Sequence, residues 1–214
     1  ADFFRYEREE LRFSVVKVMA AAAHSDNVLD FEEQKLFQYF IQGTEIPADK
    51  RKEALTIFKS GVAIRDINLP SDNSWILRKF YLEIAILTMW ADRRVEETEH
   101  EFLRQLCAHL GFSDDDLENS LIAIEGFVLE HWHELEYLQD KANYERVSEH
   151  FISRVARIAE KNKGKLLKEI QDNRVVLNLL MKAQAEELTA EESEMVRQHL
   201  IHALKTIPTF GIIV

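Results

Sequence analysis

Turn-forming residues are scarce in this chain. It has six glycines and three prolines in 214 residues, where average usage of roughly 7% Gly and 5% Pro would supply more. Sandwiches and barrels of short strands need many more turns, so an all-β fold is excluded and long helices are expected. A single cysteine, Cys107, excludes an intramolecular disulfide and a cysteine-rich zinc site, and fits a reducing compartment. No run of 18 apolar residues exists to span a bilayer, and no leader pattern opens the chain. A Gly-rich phosphate loop and a Gly-x-Ser-x-Gly elbow are both missing, so a nucleotide enzyme and an α/β-hydrolase are set aside. The first residue is Ala1 rather than Met, and we expect a piece of a longer chain.

What is present is an ordinary globular balance, with 46% apolar and 30% charged residues, enough for a hydrophobic core. The net charge of −11 argues against a reader of duplex DNA, and no sequence-specific nucleic-acid partner is expected. Residues 1–140 carry 15 basic and 28 acidic side chains, whereas residues 141–182 carry 10 and 5. This asymmetry marks Arg154, Arg157, Lys161, Lys163, Lys165 and Lys168 either as a solvated helix face or as a surface for an anionic membrane or RNA. The chain closes on Ile207-Pro208-Thr209-Phe210-Gly211-Ile212-Ile213-Val214. We expect such an apolar tail either to pack on the body or to lead into a buried or membrane-facing segment. The expected location is cytoplasmic, with membrane association in the full-length chain.

Helical periodicity predicts nine helices, at about 3–23, 31–43, 47–63, 75–89, 96–110, 114–138, 143–163, 165–186 and 190–205. Asp30 with Glu33, and Thr189 with Glu192, have capping-box spacing. Ser74 and Ser113 are N-caps, and Gly43 and Gly111 are stops. The architecture is all-α: an acidic body over residues 1–140 carrying two helix–turn–helix repeats, and a C-terminal helical extension over 141–214.

A shift of 66 residues aligns the two repeats. Asp26 falls on Asp92, Leu29 on Val95, Asp30 on Glu96, Glu33 on Glu99 and Phe37 on Leu103. Apolar residues that pin the two helices of each repeat together, with helix capping by the acidic groups, account for every matched position. The functional alternative is a divalent-cation site, because Asp26, Asp30, Glu33, Asp92, Glu96 and Glu99 offer the oxygen ligands that hard cations take. An EF-hand is excluded, because Val28 holds the third loop position and Phe31 the place of the turn glycine.

The segment from Ala22 to Glu33, repeated from Ala91 to Glu99, resembles the TerB-like, tellurite-resistance family, whose halves each carry an Ala-Asp-Gly-x-Val-x-x-x-Glu signature. The resemblance covers about residues 8–138. Asn27 and Arg93 stand where the family has Gly. It implies a non-enzymatic, all-helical interaction module of stress or membrane physiology, found also in membrane-tethered co-chaperones. The same resemblance puts metal binding on Asp26, Asp30, Glu33, Asp92, Glu96 and Glu99. The stretch from Leu188 to Val214 is similar to the LETM-like family, including biofilm-associated bacterial relatives. That likeness implies a surface next to a membrane, with ion homeostasis or ribosome association.

One enzyme-like pattern remains. Glu97 with His100 and Glu130 with His133 repeat the Glu-x-x-His spacing of di-iron bundles, for which Glu83 and Glu9 or Glu10 could complete the set. With 26 Glu and 8 His, such pairs also arise by chance. Cys107 lies among Leu103, Leu106 and Leu110 and reads as an inert buried thiol. The expectation is a non-catalytic module with a protein partner and no cofactor beyond a candidate divalent cation.

Overall fold

The computed structural model describes residues 2–26, 28–29, 31–44, 46–69, 74–91, 97–134, 141–161 and 173–203. Its helices are α1 (Asp2–Ala23), α2 (Phe31–Gly43), α3 (Ala48–Ser60), α4 (Trp75–Ala91), α5 (Glu97–Leu110), α6 (Asp114–Glu130), α7 (Lys141–Lys161), α8 (Arg174–Ala185) and α9 (Ala190–Ala203). A short 3₁₀ turn covers Ile64–Asp66. No strand occurs among the described residues, so the all-α reading holds.

Local chemistry explains most of the boundaries. Ser74 Oγ accepts the Leu77 amide at the start of α4. Two reciprocal boxes open α6 and α9. In one, Asp116 accepts the Ser113 amide while the Asp116 amide donates to Ser113 Oγ. In the other, Glu192 accepts the Thr189 amide while the Glu192 amide donates to Thr189 Oγ1. Each box satisfies two amides that the first turn would leave orphaned. Gly61 and Gly111 end α3 and α5 with φ of +76° and +79°, a conformation that favours glycine.

Three expected boundaries move. The third helix stops at Ser60, not Ala63, because Gly61 turns left-handed and a Cβ there would lie 3.0 Å from His24 Cγ. The sixth stops at Glu130, not Leu138, where His131–Glu134 form a turn closed by the Glu134 amide on the His131 carbonyl. The eighth begins at Arg174, because Asn173 leaves helical geometry and its side chain caps the Val176 amide. The earlier part of that expected helix lies outside the described residues.

The described residues fall into two compact units, one within residues 1–120 and one within 121–208. In the first, α1 packs on α3 and α4, and α4 also meets α2 and α5. Small residues Ala20, Ala21, Ala22 and Ala23 close α1 and are all buried, which lets its neighbours approach. Phe37 of α2 stacks on Phe58 of α3 with ring centres 4.0 Å apart. His24 Nε2 donates to the Phe58 carbonyl at 2.8 Å, and His109 Nε2 donates to the Ile67 carbonyl at 2.8 Å. Each ties a loop to the helices. In the second unit, α7 packs on α8 and α9, which also touch each other. Val147, Phe151, Val155, Val176, Leu180, Val196 and Leu200 form the core there. Lys182 of α8 and Glu192 of α9 pair at 3.0 Å.

Candidate functional site

The first acidic repeat divides between a turn and a core. Asp26 is half-buried, and its Oδ1 accepts the Val28 amide at 2.9 Å. That is an Asx turn, in which the side chain shapes the backbone. Glu33 is buried on the face of α2 that also carries Phe37 and Ile41, at the i, i+4, i+8 spacing of one helical side. Asp30, Asp92 and Glu96 lie outside the described residues, as does the side chain of Glu99. Among the described residues no group of three or more acidic, His or Cys side chains is arranged to hold a metal ion.

The two Glu-x-x-His pairs do not share a geometry. Glu97 begins α5, its side chain lying outside the described residues, and His100 is half-buried on that helix. Glu130 is the last residue of α6, so His133 stands in the following turn, and both are exposed. Helical i, i+3 placement therefore fails for that pair. Glu130 lies instead 4.0 Å from His131, whose Nδ1 is 3.0 Å from Glu134. Glu83 is fully buried in α4, whereas Glu10 is exposed on α1.

The basic surface needs the clearest correction. Arg154 is not a solvated cation. It is buried in the second unit, and its Nε lies 3.2 and 3.3 Å from the two carboxylate oxygens of buried Glu125. The reason is positional. Arg154 lies on the α7 face of Val147 and Phe151, and Glu125 lies on the α6 face of Leu121, Ile122 and Val128, so apolar neighbours carry both charges inward together. Arg157 is exposed. Lys163, Lys165 and Lys168 and the side chain of Lys161 lie outside the described residues. On the same helix, partial burial first, then Arg154 and Arg146, hold the His150 pKa below the usual imidazole value, against a smaller upward pull from Glu149.

Cys107 is buried, and its thiol is pushed up to about 12 by burial, with Asp116 and Asp114 adding to the rise. A thiol so far from its thiolate is no nucleophile near neutral pH.

The feature that sequence patterning did not single out is a cleft of about 100 Å³ where α4 begins beside the start of α6. Trp75, Leu82 and Phe112 supply its apolar wall, and Lys79, Asp116 and Asn119 its polar edge. Trp75 is 57% exposed although it is an indole at a helix start. It meets Phe112 edge-on with ring centres 6.4 Å apart, and Lys79 Nζ lies 5.1 Å from its ring centre. Nearby in sequence, Leu69 and Ile76 are also exposed. The sequence held a signal: Trp75 and Ile76 follow directly on the cap Ser74, before the buried stripe of α4 begins at Phe80. A second exposed set, Val28, Phe31 and Tyr39, precedes and lines α2, with Lys35 over the Phe31 ring at 4.5 Å.

The chain is similar to the co-chaperone protein DjlA of Vibrio vulnificus (strain CMCP6), with 25% identity over 122 residues, 53% of this chain and 42% of that protein. It thus spans less than half the length of the relative it matches. No family model and no solved structure matches the chain. Among the described residues no helix is long and apolar enough to cross a membrane.

Proposed function

We propose that this chain is a non-catalytic, all-helical protein-interaction module of stress or envelope physiology, working beside a chaperone as the interaction part of a co-chaperone. The carrying observation is its similarity to the Vibrio co-chaperone. The acidic body is the TerB-like part of this reading, and the C-terminal helices are the LETM-like part that brings it near a membrane. Exposed Trp75 supports a contact role. Burying its open surface would contribute on the order of 2–3 kcal/mol at about 25 cal/mol per Å², the scale of an interface hot spot.

The test is photo-crosslinking in cells from benzoylphenylalanine at position 75, with position 52 as control. Lys52 is exposed on α3. The reading expects one defined polypeptide captured from position 75 and not from 52. Equal, diffuse labelling from both positions would contradict it.

A further inference from the structure

The Trp75 cleft is specific enough to name what it holds, and the inference deepens the interaction reading and rests on it. Pockets for cofactors and drug-sized ligands run from roughly 300 to 1,000 Å³, and an apolar cavity of about 150 Å³ takes benzene. A cleft of about 100 Å³ therefore receives one branched aliphatic side chain and no indole. Its floor, Leu82 with the Trp75 and Phe112 rings, is apolar.

The polar edge adds two requirements. Lys79 has its ammonium 5.1 Å from the Trp75 ring centre and forms no ion pair among the described residues, although residues 1–140 carry 28 acidic side chains. Asp116 on the same edge turns its Oδ2 to the amide and the hydroxyl of Ser113 at 2.9 Å and forms no ion pair with Lys79 among the described residues. The cleft thus presents a cation to an incoming anion. Asn119 is exposed, and its carboxamide makes no hydrogen bond among the described residues, so it can pair with a peptide amide.

An aliphatic group, a carboxylate and an amide within one residue's reach describe the end of a polypeptide. In an extended strand, neighbouring side chains point to opposite faces, so an acidic residue beside an internal aliphatic anchor would turn away from Lys79. A terminal residue carries side chain and carboxylate on the same Cα. We propose that this cleft binds the C-terminal Leu, Ile or Val of a partner polypeptide, the side chain seated against Trp75 and Phe112 and the carboxylate on Lys79.

The experiment is an NMR titration of the whole chain, followed at the Trp75 indole N–H, with acetyl-Gly-Gly-Leu bearing a free carboxylate. Saturable shifts with Kd near about 1 mM are expected. The C-terminally amidated peptide, and the acid peptide against K79Q, should each bind at least about tenfold more weakly, while K79R keeps the affinity. Acetyl-Gly-Gly-Trp should not enter. Lys79 is only half-buried on the surface of α4, and an unchanged melt confirms that the variants fold. Equal binding of acid and amide, indifference to K79Q, tighter binding of an internal Leu-Glu peptide, or no saturation up to about 20 mM would each overturn the proposal. Should crosslinking at position 75 succeed while the peptide fails, the interaction reading stands and only this ligand falls.

Discussion

Removing Arg154 separates a core ion pair from a surface cation more sharply than any other substitution. Arg154 and Glu125 leave 8% and 1% of their side chains exposed, and Arg154 Nε reaches both Glu125 oxygens. R154M keeps the aliphatic volume and deletes the charge, so the Glu125 carboxylate loses this partner in a site water does not reach. Breaking a buried pair from one side costs about 3–5 kcal/mol. R157M, on an exposed position of the same helix, should change stability by no more than about 0.5 kcal/mol. The double replacement E125L/R154M should recover most of the loss, because a well-packed apolar pair of similar volume is often as stable as the ions it replaces. Because the chain has two compact units, a whole-chain melt would blur the effect. Urea unfolding should be followed by fluorine NMR of 5-fluorotryptophan at Trp132, which is buried and edge-on to Tyr144 at 5.3 Å in the second unit. A loss for R154M below about 1 kcal/mol, equal to that of R157M, would refute the pairing.

Other substitutions probe the remaining features. Cys107, with its thiol pushed up to about 12, should react with Ellman's reagent only after denaturation, and native labelling at the denatured rate would contradict its burial. Gly61→Ala should destabilise by about 1–2 kcal/mol, since it forces a side chain into positive φ and 3.0 Å from His24. Gly43→Ala, with open space around its Cβ, should instead stabilise by about 0.5 kcal/mol, and thermal melts of the pair check the contrast. The Glu192 carboxyl is held low, first by the Thr189 amide and then by Lys182. A depressed folded pKa contributes stability above the ordinary carboxylate range, lost as pH falls through the folded value. E192Q should therefore flatten the acid limb of the α9 melting profile, and an unchanged limb would refute that role. D26N can still accept the Val28 amide, whereas D26A cannot. D26A should cost about 1 kcal/mol and D26N little. In chelated protein, a melting shift with Ca, Mg, Mn, Zn or Fe(II) that D26N abolishes would instead make the turn a cation site.

Much of the architecture was legible because helices announce their ends. Thr189 with Glu192 and Ser74 act as caps, and Gly111 stops α5 where its sequence position suggested. Boundaries drifted where a single non-helical residue, Gly61 or Asn173, outweighed continuing apolar periodicity. The burial of Arg154 escapes a count of charges, which treats every Arg as solvated. The spacing Val147, Phe151, Arg154 had already put it on the buried face, opposite an equally misplaced Glu125. The apolar pair Trp75 and Ile76 at the start of α4 is legible, but the cleft itself is not, because it depends on Phe112 and Asn119 arriving from a later loop and helix. Periodicity within α4 says nothing about either. For the acidic repeat, one-dimensional spacing could not tell that Asp26 would serve its own turn while Glu33 faced the α2 core.

The most direct test of the interaction reading is a chimera. This chain would replace the matching segment of the Vibrio vulnificus co-chaperone to which it is similar, and chaperone-dependent refolding would be measured with the chimera, the parent and a deletion lacking the segment. The account predicts that the chimera restores refolding well above the deletion. A chimera that is helical by circular dichroism yet no better than the deletion would contradict it.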